Sequence, residues 1–201
     1  GLAQFQKYKT TRRVSRNAEY NRRLANVAAR LTRVIDLPGA RWEFVVFEAN
    51  TPNAFALPGG KVGVHSGLFK VAQTEAQLAA VVGHEIAHVT LGHASERVSH
   101  KMLAQLGGAL LGAATQGSQN AQSIGRAYGM GAQYGAILPF SRKHELEADQ
   151  VGALYMARAG YDPRESITFW QRMGQYTRSI GGGGRSEFMS THPLDGRRVQ
   201  E

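Results

Sequence analysis

The sequence predicts an α+β fold, mostly helical and in one domain over positions 1–201, with a small β-sheet beside a long central helix. Three observations carry that prediction. Apolar residues recur at helical spacing over most of the chain. Between Trp42 and His65 the pattern changes to short β-branched and aromatic runs punctuated by turn residues. Apolar content of 42% against 19% charged excludes a disordered chain, and 201 residues suffice for a sizeable core. There is no cysteine, so disulfides and thiolate metal sites are excluded and any metal must be held by His, Asp or Glu. The chain begins with Gly and carries no signal-peptide pattern, which reads as a mature or trimmed form whose targeting segment lies upstream.

Positions 1–16 are polar and basic and are expected to be flexible or a frayed helix. From 18 to 35, Leu24, Val27, Ala28, Leu31, Val34 and Ile35 form an apolar helical stripe, ended by Pro38-Gly39. Positions 42–48 read as a strand. Ala54, Phe55, Ala56 and Leu57 form a second, and Pro58-Gly59-Gly60 turns it into a third that ends at His65, making a hairpin. Thr74 with Gln77 three residues on is a capping box, opening one long helix expected to run to about Leu106. Positions 107–139 are dominated by Gly, Ala, Gln and Ser and read as a flexible or loosely helical insertion. A membrane-facing or partner-facing hairpin is the alternative. Their apolar run is too short to span a bilayer. Helical character resumes near Ser141 and stops at Gly160. Asp162-Pro163 opens another helix, and four glycines from 181 to 184 precede a loop-like tail.

Net charge is +9, and ten of the 24 cationic residues fall within the first 41 positions against only Glu19 and Asp36. A solvated basic helix face accounts for this most simply. Contact with an anionic membrane surface is the sharper reading. No nucleic-acid partner is expected, because aromatics are sparse there and no recognised motif is present.

The chemistry centres on His84-Glu85-Ile86-Ala87-His88. Histidines four apart share one helix face and can point both imidazoles at one ion, with Glu85 one step round the helix beside it. A catalytic zinc takes three protein ligands. His93 is nine residues from His84, on the opposite face of a continuous helix, and reads as a supporting residue outside the ligand set. In Arg142-Lys143-His144-Glu145-Leu146-Glu147-Ala148-Asp149, Glu145 and Asp149 are four apart and share a face from which Glu147 points away. Glu145 is therefore the candidate third ligand. Asp149 is the candidate acceptor for the second N–H of a ligating histidine. His144 can compete for the ion but lies off that face.

These residues, with Asn53-Ala54-Phe55-Ala56, Gly59-Gly60, Val64-His65-Ser66-Gly67-Leu68, Gly92-His93, Phe140-Ser141-Arg142 and His192-Pro193 with Arg198, resemble the M48 family of zinc metallopeptidases over most of the chain. The likeness is to its small soluble bacterial cell-envelope members, which are also similar to mitochondrial inner-membrane stress peptidases. It implies a zincin fold and one Zn2+ per chain held by His84, His88 and Glu145. It implies Glu85 as catalytic acid/base in endopeptidase chemistry on unfolded or misassembled proteins, and a periplasmic or membrane-associated setting. His192 is the candidate donor to the oxyanion, or a plug of the open position, with Arg198 second. Asn53, Ala54, Phe55 and Ala56 are the candidate substrate strand, pairing with an extended peptide. The competing class is a metal-retaining chaperone-like or scaffolding module with little proteolysis.

Overall fold

The computed structural model describes residues 1–180 together with Phe188, Thr191 and His192. The glycines at 181–184 and positions 193–201, Arg198 among them, lie outside the described residues. The fold is mostly α with one small mixed sheet. Two compact units divide it, one formed by Gly1–Leu91 with Glu147–Glu201, the other by Gly92–Leu146.

The first unit begins with helices α1 (Leu2–Thr11) and α2 (Ala18–Thr32), then strands β1 (Glu43–Phe47), β2 (Ala54–Leu57) and β3 (Lys61–His65). A short 3-10 turn, Ser66–Lys70, leads into helix α3 (Glu75–Thr90). Strand β3 is central. It runs parallel to β1 (Val45 opposite Gly63) and antiparallel to β2 (Phe55 opposite Gly63). The outer edge of β1 is occupied: Val14 bridges Phe47, the Ser15 N–H donates to the Val46 carbonyl at 2.8 Å, and the Glu48 N–H donates to the Arg13 carbonyl at 2.8 Å. Strand β2 is left at the opposite edge of the sheet.

The core explains the choice of helix faces. The α2 stripe Leu24, Val27 and Leu31 meets Val62 and Val64 of the sheet and the α3 residues Leu78, Val82 and Ile86 in one cluster. That cluster also takes in Phe169 and Met173 of α7 (Glu165–Ser179). Helix α3 is buried from Gln77 to Ala87, so it is apolar on every side except where its chemistry lies. Its start is capped as expected: the Thr74 side chain accepts from the Gln77 N–H at 3.1 Å. The Gln77 side chain accepts from the Gln73 N–H at 2.9 Å and donates to Glu165 at 2.8 Å, tying α3 to α7.

One sequence expectation is corrected and others are sharpened. Within positions 1–16 the helical alternative holds, as α1. Phe5 of α1 is fully buried, edge-on to Phe47 and Phe55 at 6.1 and 6.5 Å, and Lys9 Nζ reaches Glu43 Oε1 at 2.6 Å, holding that carboxyl below its ordinary range. Several early cations are structural as well. Arg23 donates to the Ala72 carbonyl at 2.7 Å, and Arg30 donates to the Ala159 carbonyl at 2.9 Å while its guanidinium sits 3.7 Å over the Tyr161 ring.

The expected long helix is two helices. Helix α3 ends at Thr90, Gly92 takes φ +73°, and α4 (His93–Ala114) starts at once. A left-handed residue is how helices commonly terminate, and glycine adopts it without steric cost. The stretch 107–139 is helical through most of its length. The second unit comprises α4, α5 (Ala121–Ala132), a π turn at Gln133–Ile137 and the start of α6 (Leu138–Arg158), which continues into the first unit.

Replacing Gly92 with Ala forces a Cβ into the left-handed region and should lower stability by about 1 kcal/mol, a fall of a few degrees in thermal melts followed by circular dichroism. An unchanged melt would mean that the break between α3 and α4 does not depend on that glycine.

Candidate metal centre

Helix α3 carries His84 and Glu85 inside its buried stretch and His88 one turn on, half-buried. Polar side chains in such a place need partners. The first comes from the second half of α6: Asp149 Oδ1 lies 2.8 Å from His84 Nδ1. A carboxylate there accepts an N–H, which assigns the proton to Nδ1 and leaves the lone pair on Nε2. That nitrogen faces the Nε2 of His88 at 3.1 Å. The Trp170 indole of α7 meets the His84 ring edge to face at 5.5 Å and fixes its tilt.

His192 completes the cluster. Its Nδ1 is 3.3 Å from His84 Nε2, its Nε2 is 3.2 Å from Glu85 Oε1, and Phe188 stacks on its ring at 4.6 Å. One ligand nitrogen from each of His84, His88 and His192 falls within 4.8 Å of the others. Three buried or half-buried imidazoles converging in this way form a nitrogen donor set of the kind that zinc takes. The residues present therefore fit that metal.

The approach of α6 to α3 is made possible by glycines. Gly152 is one turn beyond Asp149, and a Cβ built on it would stand 2.9 Å from the His84 backbone nitrogen and 3.1 Å from its Cα. A Cβ on Gly83 would meet the Gly152 carbonyl oxygen at 3.3 Å. The two helices cross backbone to backbone beside the His84–Asp149 hydrogen bond. Sequence reasoning missed Gly83, Gly152, Trp170 and Phe188. The signal available was two glycines in helix interiors, where they cost stability unless something passes close by.

The other candidate residues fall as follows. Glu145 is buried one turn before Asp149 on α6, which keeps the two carboxylates on one face. His93 opens α4 instead of extending α3, and it stacks on His144 with ring centroids 3.8 Å apart. His144 Nε2 is 2.8 Å from Glu96 Oε2. These three belong to the second unit. Asn53 is buried, its carbonyl accepting from the His65 N–H at 2.9 Å, and Ala54, Phe55 and Ala56 lie in the edge strand β2. Helix α3 packs beside that strand.

The profile of Peptidase family M48 matches residues 15–201. Mitochondrial metalloendopeptidase OMA1 of Schizosaccharomyces pombe is 34% identical over 182 residues, covering 89% of this chain and 50% of that protein. The Saccharomyces cerevisiae protein of the same name is 36% identical, covering 82% of this chain and 47% of that protein. The beta-barrel assembly-enhancing protease of Escherichia coli K12 is 32% identical, with 80% and 33% covered. The chain thus spans half or less of the length of these relatives.

A Gly152→Val substitution should push α6 off α3 and lower stability by about 1–3 kcal/mol. Gly125→Ala, on α5 with nothing within 4 Å of the added carbon, should be neutral or stabilising by up to about 1 kcal/mol. Chemical denaturation measures both, and the reverse ranking would show that the helix crossing does not depend on the absence of a side chain.

Proposed function

The chain belongs to peptidase family M48, and on that premise we propose that it is a zinc-dependent endopeptidase, with one zinc per chain held by His84, His88 and Glu145. The observation that supports this most strongly is the convergence of His84 Nε2 and His88 Nε2, with Asp149 holding the far nitrogen of His84 and Glu85 alongside. Glu145 follows from the register of α6. Asp149 already reaches His84, and the residue one turn earlier on the same face is a buried carboxylate.

Zinc in such a site lowers the pKa of a water and polarises a carbonyl oxygen. Everything else falls to the protein. Glu85 takes the proton of the attacking water and returns it to the leaving nitrogen, the work of a positioned general base and acid. Asp149 keeps His84 in the ligating tautomer and raises its basicity. Trp170 and Phe188 wall the site with apolar surface and exclude bulk water. His192, spanning His84 Nε2 and Glu85 Oε1, closes the site in the arrangement described. It must move aside for a substrate, after which its N–H becomes a donor to the developing oxyanion.

The substrate is an extended peptide added to the edge strand β2, the sheet edge that residues 13–15 do not occupy. Such pairing reads backbone, which suits unfolded or misassembled proteins in a cell-envelope setting. The printed names of relatives, a beta-barrel assembly-enhancing protease and mitochondrial endopeptidases, support this reading. A scaffolding module with little proteolysis is disfavoured by Glu85, a carboxylate buried beside the histidines at the cost of its desolvation.

Glu85→Gln should retain zinc yet digest casein about 10²–10⁴-fold more slowly than wild type, and a chelator should abolish wild-type digestion. Equal digestion by both proteins would overturn the mechanism. Glu145→Ala should weaken zinc binding at least about tenfold in a competition assay, and undiminished affinity would remove it from the ligand set. His192→Ala should lower kcat on casein about 10²-fold, the loss of one oxyanion donor. A rise would assign His192 to blocking the site alone.

A further inference from the structure

Helices α4 and α5 form a hairpin that carries its apolar residues on the outside. Val98, Met102, Leu106 and Leu110 recur every fourth residue along one line of α4 and are 57, 64, 58 and 65% exposed. Leu103 on α4 and Met130 on α5 are exposed as well. The contact between the two helices is made by other residues. Gly107 and Gly108 lie against the Tyr128 ring, whose hydroxyl donates to the Ala104 carbonyl at 3.1 Å. Among the described residues α5 buries none, and α4 buries only His93. A line of four exposed aliphatic side chains on a helix implies that something covers it.

The charge pattern identifies the occupant. From Met102 to Ile137 the only formally charged residue is Arg126, and there is no Asp or Glu. Arg97 precedes the stripe, Lys101 lies within its first turn, and Arg142 and Lys143 follow the hairpin. The acid in the first turn of α4, Glu96, is bound to His144. Cations beside an uncharged aliphatic face complement an anionic lipid surface, headgroups for the cations and acyl chains for the stripe. A docked protein would more often be met by Trp, Tyr and Arg anchors, and the stripe contains none. Crossing the bilayer is not implied, because no described helix is long and apolar enough.

We propose that α4 lies in the plane of an anionic phospholipid surface, with Val98, Met102, Leu106 and Leu110 dipping into the acyl boundary and Arg97 and Lys101 on the headgroups. It is separate from the sharper reading of the basic N-terminal region, three of whose cations, Lys9, Arg23 and Arg30, are engaged within the fold. It does not rest on the peptidase reading.

The test is co-sedimentation of the full chain with phosphatidylcholine vesicles that contain or lack phosphatidylglycerol. Wild type should sediment with the anionic vesicles and not with the neutral ones. The bound fraction should fall at least about tenfold in Leu106→Asp/Leu110→Asp, and also in Arg97→Glu/Lys101→Glu, with far-ultraviolet circular dichroism unchanged. Since the chain has no cysteine, Met102→Cys and Gln150→Cys can each carry an environment-sensitive dye. Only the first should shift to the blue on anionic vesicles. Failure of wild type to bind, or full binding by Leu106→Asp/Leu110→Asp, would overturn the proposal. So would a wild-type dimer in the absence of lipid that the same pair dissolves, which would assign the stripe to a second copy of the chain.

Discussion

The hydrogen bond from His84 to Asp149 is the constraint on which the site depends. It joins two segments 65 positions apart, sets which nitrogen of His84 faces inward, and fixes the register of α6 against α3. Glu145 shares the face of α6 that carries Asp149, by helix geometry alone. Gly83 and Gly152 let the two backbones approach closely beside that bond. A half-exposed Asp–His pair contributes little to stability. This one is largely removed from water, so losing either partner leaves a buried polar group unsatisfied, at a cost of about 1–3 kcal/mol. The same interaction therefore serves folding and chemistry, and selection for one cannot be separated from selection for the other.

The sheet plays a parallel part. Residues 13–15 occupy the outer edge of β1, so the N-terminal segment, anchored by Phe5 and Lys9, leaves β2 as the edge beside α3. An unprotected edge is an aggregation hazard in most proteins. Here it is only four residues long, which limits that hazard while leaving enough main chain to pair with a short peptide.

What could be read from the sequence was what depends on short-range periodicity. His84 with His88, Glu145 with Asp149, the Thr74 cap and the β2–β3 hairpin are all relations between residues at most a few positions apart. What could not be read depends on chain crossing. The parallel pairing of β1 with β3, the covering of β1 by residues 13–15, and the contact of Gly83 with Gly152 involve distant segments, and local pattern carries no trace of them. The break at Gly92 is an intermediate case. The glycine was visible, but the apolar pattern continues past it, and a left-handed residue leaves no mark on hydrophobic periodicity. Likewise the early cations read as a solvated face, because nothing in their spacing tells that Arg23 and Arg30 donate to carbonyls far along the chain.

Zinc-edge X-ray absorption on the purified chain tests the central claim most directly, because it reports the atoms around the metal without reference to activity. One zinc per chain, with imidazole nitrogen and carboxylate oxygen in a first shell at about 2.0–2.1 Å, is the expected spectrum. Zinc absent at stoichiometric loading, or a shell of water oxygens without the imidazole signature, would contradict it.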